Sequence, residues 1–264
     1  MPKLDLTRAR RIKTAAGEVT RLKGPGFSWV KPAAPAAGVA FKQARRNGNY
    51  AGDDVSSGTT GAMAGVVAGN SLILVVHTHA STTGAVNIAP TPAAVGGRPW
   101  TLVSSHERQG DGWGDYRHRV SIFVLTNAAA GSPNVTISFP VALAYSAYLV
   151  EVTGTPTLAT VGYAVGTGYQ NPPVSMSVAT AANPAAGPSF VMGGGTATHN
   201  GSGAAGVDGA TGYTDTVAGA LNGTYFSSRQ QYKPATHTGS APETWAGSKA
   251  QISYGFLSYV AVFK

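Results

Sequence analysis

The feature that most constrains this chain is a series of short β-type segments interrupted by turn residues. From about residue 60 onward, runs rich in valine, isoleucine, threonine and aromatic residues alternate with clusters of glycine, proline and asparagine. β-branched and aromatic side chains fit a pleated, half-buried surface, and no helical period interrupts the series. Ten strands are predicted, at 71–79, 99–106, 118–126, 133–139, 145–153, 158–165, 174–179, 188–193, 223–232 and 250–263.

Composition favours the same class. Glycine and proline contribute 35 and 16 of the 264 residues, and charged residues make up only 11%, against about a quarter in typical soluble domains. We therefore predict an all-β fold, a jelly-roll-like antiparallel β-sandwich with an uncharged polar surface. The run Leu72–Val76 is apolar on both faces, which indicates a central strand, and the last strand should tie Lys264 into a sheet.

Charge is concentrated at the N-terminal end. Residues 1–46 hold 11 of the 19 lysines and arginines with two acids, whereas residues 47–264 hold eight bases and nine acids. The Pro/Ala-rich stretch 31–38 is typical of an extended linker. These observations predict a basic, mostly extended N-terminal arm and linker at 1–46 and a β-sandwich body at 47–264.

A basic arm on a neutral body suits nucleic acid, an anionic membrane or a protein surface. Here leucine, isoleucine and valine are interleaved with the bases, and phosphate-binding arms are usually denser in bases, so we favour docking on a protein and do not expect nucleic acid. A solvated charged tail is the alternative. The predicted anchoring residues are Arg8, Arg10, Arg11, Lys13, Arg21, Lys23, Phe27 and Trp29, the last two as buried aromatic anchors.

Several classes are excluded or disfavoured. The chain has no cysteine, which removes disulfides, thiolate metal sites and a cysteine nucleophile. The first 24 residues lack the apolar stretch of a secretory signal. The longest apolar run, Leu72–Val76, is far shorter than the roughly 20 residues of a membrane span, so no membrane span is expected.

The richest local chemistry lies at 107–118, where carboxylates, bases and aromatic residues share a glycine-rich loop. Aromatic faces stack on sugar rings while charged groups bind hydroxyls. The predicted glycan-binding residues are Asp111, Trp113, Asp115, Tyr116 and Arg117. The alternatives are a plain hairpin connection in which Trp113 caps the core, and a Ca²⁺ shared by the two aspartates, although an EF-hand order is absent.

Metal and catalytic patterns are weak. His77 and His79 lie on one face of a strand and would form half of a metal site, with only His106, Glu107 and His118 as candidate neighbours. We predict no metal and no cofactor. Motifs of serine hydrolases, zinc proteases and phosphate loops are missing. Glu107 with Asp111, or Glu151 with Asp208, is the remaining glycosidase-type pair, and the chain is predicted not to be an enzyme.

Two stretches resemble proteins of tailed-phage particles. Leu6–Val19 running into Gly26–Pro32 resembles the N-terminal segment of small virion proteins from phages and gene transfer agents. The body resembles a β-sandwich common in phage-encoded proteins over the frame Gly69–Val76, Trp100–Val103, Val120–Phe123, Asn134–Phe139 and Ala147–Val152. The resemblance covers about residues 4–32 and 62–153, whereas 154–264 departs from the frame.

The resemblance implies a virion surface protein of the head-spike, capsid-decoration or tail-adhesin type, assembled in the bacterial host cytoplasm. Its expected partners are other virion proteins through residues 1–46, further copies of itself, and host polysaccharide. The fold does not choose among these roles. The alternatives are a decoration protein that binds no sugar, a glycan-degrading enzyme and a free lectin-like module.

Overall fold

The computed structural model describes residues 13–14, 17–18, 21–24, 27–30, 38–49, 54–81, 87–108, 116–170, 174–198, 206–222, 226–250 and 253–264. The chain divides into two compact units, Met1–Ala37 and Gly38–Lys264. In the first unit, β1 (Lys13–Thr14) pairs with β2 (Gly17–Glu18), and β3 (Arg21–Gly24) pairs with β4 (Phe27–Val30), both antiparallel. The division falls at residues 37/38, so residues 38–46 belong to the second unit, which we call the body.

The first half of the body, residues 38–153, is module 1. Its strands are β5 (Ala40–Asn49), β6 (Val55–Thr59), β7 (Ser71–Ser81), β8 (Thr91–Pro92), β9 (Thr101–Arg108), β10 (Tyr116–Leu125) and β11 (Thr136–Thr153). Five of them form the central sheet 1 in the order β5-β11-β7-β10-β9, and β6 and β8 pair with the first half of β11 in an outer layer. All pairings are antiparallel.

The second half, residues 158–264, is module 2. Its strands are β12 (Leu158–Gln170), β13 (Val174–Ala179), β14 (Gly187–Thr198), β15 (Val207–Asp208), β16 (Thr214–Asp215), β17 (Leu221–Asn222), β18 (Phe226–His237), β19 (Thr244–Lys249) and β20 (Ser253–Phe263). The central sheet 2 has the order β12-β20-β14-β18, with β16 and β17 beside β18, and β13-β19-β15 form an outer sheet.

The two modules repeat one strand order. In module 1, β5 pairs with β11, β11 with β7, and β7 with β10. In module 2, β12 pairs with β20, β20 with β14, and β14 with β18. The second strand of each module, β6 or β13, belongs to the outer layer. The long β11 of module 1 corresponds to β19 and β20 of module 2. Register supports the repeat, because Tyr148 pairs with Val75 just as Tyr259 pairs with Gly194 at the corresponding positions. The body is therefore a tandem structural duplication.

Sheets 1 and 2 pack face to face. Their shared core, which we call the joint, brings Ile73, Val75 and Tyr148 of sheet 1 together with Met192 and Tyr259 of sheet 2. Each sheet also buries its other face, sheet 1 under the outer layer of module 1 and sheet 2 under the outer sheet of module 2. Burying one large aliphatic side chain contributes about 1.5–3 kcal/mol, so three contiguous cores stabilise the body.

The central strands show why the sequence folds this way. Leu72–Val76 are all fully buried because β7 lies between β11 and β10 and has a packed core on each face. The prediction of a central strand is confirmed. β20 likewise lies between β12 and β14, and Lys264 exchanges backbone hydrogen bonds of 2.9 and 3.0 Å with Thr157.

The all-β antiparallel prediction is confirmed. The β-sandwich expectation is met by two modules rather than one sandwich, and the jelly-roll detail stays a prediction. β5, β6 and β19 were not predicted, and Lys42, Arg45 and Arg46, which the charge count grouped with the arm, lie in β5. Among the described residues, no helix has the length and apolar character needed to cross a membrane.

Candidate functional site

The two ends of the joint differ in chemistry. At one end, where β7 begins and the linker 154–157 connects the modules, the facing side chains are apolar. At the other end, where β7, β9 and β14 stop, they are His79, Arg108 and Thr198. We call these the linker end and the polar end. The predicted glycan loop follows β9 and precedes β10 in the sequence, and the strand ends that flank it lie at the polar end.

Most of the predicted glycan residues lie outside what the structure describes. Residues 109–115, which include Asp111, Trp113 and Asp115, are not described, and Tyr116 is described only as a backbone position in β10. Arg117 is described, and it is buried. Its Nη1 donates a 2.7 Å hydrogen bond to Glu107 Oε1 across the β9–β10 hairpin.

Glu107 organises the face of sheet 1 that points away from the joint. Its second oxygen, Oε2, lies 3.1 Å from Arg119 Nη1, and Arg119 also donates to Ser105 and Ser121. The carboxylate thus joins two guanidinium groups of β10 to β9. This arrangement accounts for Arg117 and Glu107 as parts of the hairpin framework, and it leaves the remaining predicted glycan residues untested.

Three histidines gather at the polar end of the joint. His77 and His79 lie on the same face of β7, and His118 of β10 pairs in register with His79, their ring centroids being 5.0 Å apart. From module 2, the Phe226 ring lies 5.6 Å from that of His79 and 6.4 Å from that of His118. The sequence placed His118 only as a candidate neighbour, and the pairing of β7 with β10 brings it there.

Burial sets the charge state of two of these rings, His77 and His118. Burial lowers the pKa of His77 to about 3, and it lowers the pKa of His118 well below the ordinary value, with His79 and Arg108 lowering it further. Both rings are neutral near neutral pH. The Arg108 guanidinium lies beside them over the Gly255 backbone, where an added Cβ would stand only 2.3 Å from Arg108 Nη1.

Hydroxyl groups continue the polar end across the joint. Tyr148 Oη lies 2.9 Å from Ser228 Oγ, which donates a 2.8 Å hydrogen bond to Ser146 Oγ. The Tyr259 hydroxyl donates to Gln230 Oε1. Burial raises the pKa of Tyr148 to about 12 and that of Tyr259 well above its ordinary value. Both tyrosines are therefore neutral hydrogen-bonding groups; the Tyr148–Ser228 contact joins the two modules, whereas the Tyr259–Gln230 contact lies within module 2.

The cluster does not form a metal centre in the described part of the chain, where no group of three histidine or acidic side chains is placed to hold an ion. His106, one of the predicted neighbours, stacks instead on Tyr163 of module 2, with ring centroids 4.7 Å apart. The neutral rings and the buried hydroxyls can donate and accept hydrogen bonds, which suits packing across the joint.

The structure does not bring together Glu151 and Asp208, the alternative glycosidase-type pair. Glu151 lies on the outer face of sheet 1, where it accepts hydrogen bonds from Gln43, Asn70 and the Val67 amide. Asp208 lies in β15 of the outer sheet of module 2 and receives a hydrogen bond from Ser248. Both central sheets separate the two carboxyl groups. The other pair includes Asp111, which is outside the described residues.

A groove of about 580 Å³ opens at the linker end, between the two modules. Arg98, Val103 and Leu125 line its module 1 side, and Pro156 and Leu158 line the other. It holds one cationic side chain and no described acid or histidine, so it offers no acid and base pair for catalysis. Sequence reasoning did not identify this groove, because the return of module 2 onto module 1 creates it.

The predicted anchoring residues lie in the first unit. Arg8, Arg10 and Arg11 are not described, and Lys13, Arg21, Lys23, Phe27 and Trp29 are described only as backbone positions in β1, β3 and β4. Their anchoring role stays a prediction.

Comparisons with known proteins identify no relative. No family model matches the chain, and neither the curated proteins nor the solved structures contain a significant match.

Proposed function

We propose that this chain is a non-enzymatic structural protein of a tailed-phage or phage-like particle, held to the particle by its N-terminal segment and displaying the duplicated β body. The observation that carries the proposal is the division of the chain into a short basic unit and a large, nearly charge-balanced unit. Residues 1–37 contain eight lysines and arginines with two acids, whereas residues 38–264 contain eleven with nine acids.

The charge difference supports attachment through the first unit. A concentrated positive charge attracts an acidic partner surface over about a Debye length, and apolar residues between the bases supply buried contacts. The body lacks a comparable excess of one charge. Docking on another protein of the particle is therefore assigned to residues 1–37, with Arg8, Arg10 and Arg11 as the densest basic group.

The body supports a display role because three of its described acids are held in ion pairs within the fold. Glu107 binds Arg117 and Arg119, Asp215 binds Arg229 over 2.7 Å, and Glu243 binds Lys233 over 2.7 Å. An acid that serves as a general acid or base needs access to substrate. Long loops on a rigid β scaffold are common recognition elements, so host polysaccharide is the proposed ligand of the loop 109–115.

Attachment is tested with charge-reversal variants of the full chain. R8E/R10E/R11E is compared with K42E/R45E/R98E, which reverses three exposed bases of the body. The proposal expects the first variant to be lost from purified particles by at least tenfold, while the second co-purifies as the unmodified chain does. Equal incorporation of both variants would refute anchoring by the N-terminal segment.

Glycan contact is tested separately by cell adsorption. Trp113→Ala should reduce adsorption of particles to host cells. Val67→Ala should leave adsorption unchanged, because Val67 is an exposed apolar residue at the linker end, away from the predicted glycan loop. The burial of Arg117 favours a second candidate, a decoration protein that binds no sugar. That candidate is supported if Trp113→Ala leaves adsorption unchanged while particle incorporation still depends on the arginines.

A further inference from the structure

The polar end of the joint buries hydrogen-bonding groups that have no partner within the described part of the chain. Both ring nitrogens of His77 and of His118 are unpaired there, as is Thr196 Oγ1 of the opposing sheet, and all three residues are fully buried. Buried polar atoms in native proteins are usually paired. Unpaired groups on both sheets, two in module 1 and one in module 2, mark a weak place in the joint.

The duplication allows each of these residues to be compared with the residue at the equivalent position of the other module. By strand register, His77 corresponds to Thr196 of module 2, and His118 corresponds to Phe226. Module 1 thus places ionisable rings where module 2 places a hydroxyl and a phenyl ring. The linker end of the same joint is closed by apolar side chains, with Ile73 in one core with residues such as Met192.

The described charged and titratable groups around His118 are cationic or neutral. β7 contributes His77 and His79, β9 contributes Arg108 and His106, and β11, β12 and β20 contribute Tyr148, Tyr163 and Tyr259. β18 contributes the uncharged phenyl ring of Phe226, and β14 contributes the hydroxyl of Thr196. Arg46 of β5 and Asp215 of β16 act on Tyr148, and Glu107 points to the other face of sheet 1.

We propose that the polar end of the joint is a pH-sensitive contact, at which protonation of His77 and His118 separates the two modules while the linker end holds them together. A proton on either ring places an unpaired charge in a buried site beside Arg108, and burying such a charge is costly. Rotation of the modules about the linker end exposes the rings to water and removes that cost without unpairing a strand.

The sign of the effect follows from proton binding. Because the folded, closed state holds these pKa values below the ordinary value of 6.5, the open state binds more protons below pH 6.5. The closed state has its full stability relative to the open state above that pH, and this stability decreases as pH falls. Each histidine raises the open-to-closed ratio by up to tenfold per pH unit between 6.5 and the lowered pKa.

The test uses distances between spin labels in the full chain, which contains no native cysteine. S56C/S175C places labels on exposed outer strands of the two modules toward the polar end, and V67C/A182C places them toward the linker end. From pH 7 to pH 4, the first distance should lengthen and broaden, while the second stays constant. Simultaneous change of both pairs would mean general acid unfolding and would overturn the proposal.

Replacing the two histidines by the residues at the equivalent positions of module 2 tests whether they cause the acid response. His77→Thr with His118→Phe installs the residues of module 2 and should abolish the acid response, whereas His237→Gln, a histidine outside the joint, should preserve it. Persistent opening in the double variant would also overturn the proposal. If the double variant at pH 7 does not show the S56C/S175C distance of the unmodified chain, the single variant His118→Asn is used instead. With only His77 left to bind a proton, its opening must occur at lower pH than in the unmodified chain.

Discussion

At the residue scale, Glu151 shows how one acid stabilises a charge-poor body. Burial alone would raise its pKa, but hydrogen bonds from the Val67 amide, Gln43 and Asn70 outweigh burial and hold the pKa below the ordinary 4.5. A depressed carboxyl pKa stabilises the folded state above the unfolded pKa, and this contribution disappears as pH falls through the folded pKa.

Glu151→Gln should therefore lower the free energy of unfolding by about 1.5–3 kcal/mol at pH 7, because an amide leaves one of the buried donors unpaired. The difference should begin to shrink as pH falls below the ordinary value of 4.5 and should be smallest below the depressed pKa of the folded state, where the native carboxyl is also neutral. Denaturant unfolding at several pH values measures it. Asp208→Asn, at an exposed acid, should change stability by under about 0.5 kcal/mol, and an equal loss in both variants would contradict the account.

Gly193 tests the packing of module 2. Where β7 has Leu74, β14 has Gly193, and an added Cβ would lie 2.5 Å from Cδ1 of the fully buried Trp245. Gly193→Ala should destabilise the protein by about 1–3 kcal/mol through overpacking. Gly38→Ala meets open space and should be nearly neutral. Thermal unfolding compares the two, and a neutral Gly193→Ala would show that the indole can move aside.

At the element scale, local stability should follow position in the sheets. β7, β14 and β20 have a strand on each side and a core on each face, whereas β6 and β15 are short outer strands. Opening a doubly flanked strand breaks more hydrogen bonds and exposes more apolar surface. Amides of β7, β14 and β20 should therefore exchange hydrogen most slowly, and faster exchange there than in β6 would contradict the layer arrangement.

The long apolar and alternating strands were predictable from sequence, and the short or polar ones were not. Residues 174–179 match β13, and 71–79 fall within β7, because their side chains alternate or are buried on both faces. β5 contains Lys42, Arg45, Arg46 and three Asn/Gly residues, which are poor strand formers. It is a strand because it pairs with β11 at the edge of sheet 1. Such long-range pairing is not encoded in the local sequence pattern.

The candidate site was less predictable than the fold. His77 and His79 were placed on one face from their spacing, but His118 joins them through pairing of strands about 40 residues apart, and Thr196 and Phe226 join through packing of the second module. The available signal was slight: aligning Ala144–Val152 with Gly255–Phe263 matches Tyr148 with Tyr259 and places Tyr145 opposite Phe256. The duplication, and hence the joint, is visible in the strand order and register rather than in the sequence.

At the scale of the whole molecule, the two modules should unfold as one body at neutral pH. The joint buries aromatic and aliphatic side chains of both central sheets, and Phe41 of β5 stacks on Tyr232 of β18 at 4.1 Å. Loss of one module exposes the joint face of the other. Calorimetry at pH 7 should show one transition with equal calorimetric and van't Hoff enthalpies, and two separate transitions would show that the modules are independent.

The claim that this chain is a surface component of a phage-like particle is tested most directly by locating it. Particles purified from producing cultures are labelled with an antibody against the body and viewed by electron microscopy. The account predicts label on the particles, over the shell for a spike or decoration protein or at the tail tip for an adhesin. Particles without label, with the protein free in the same culture, would contradict it.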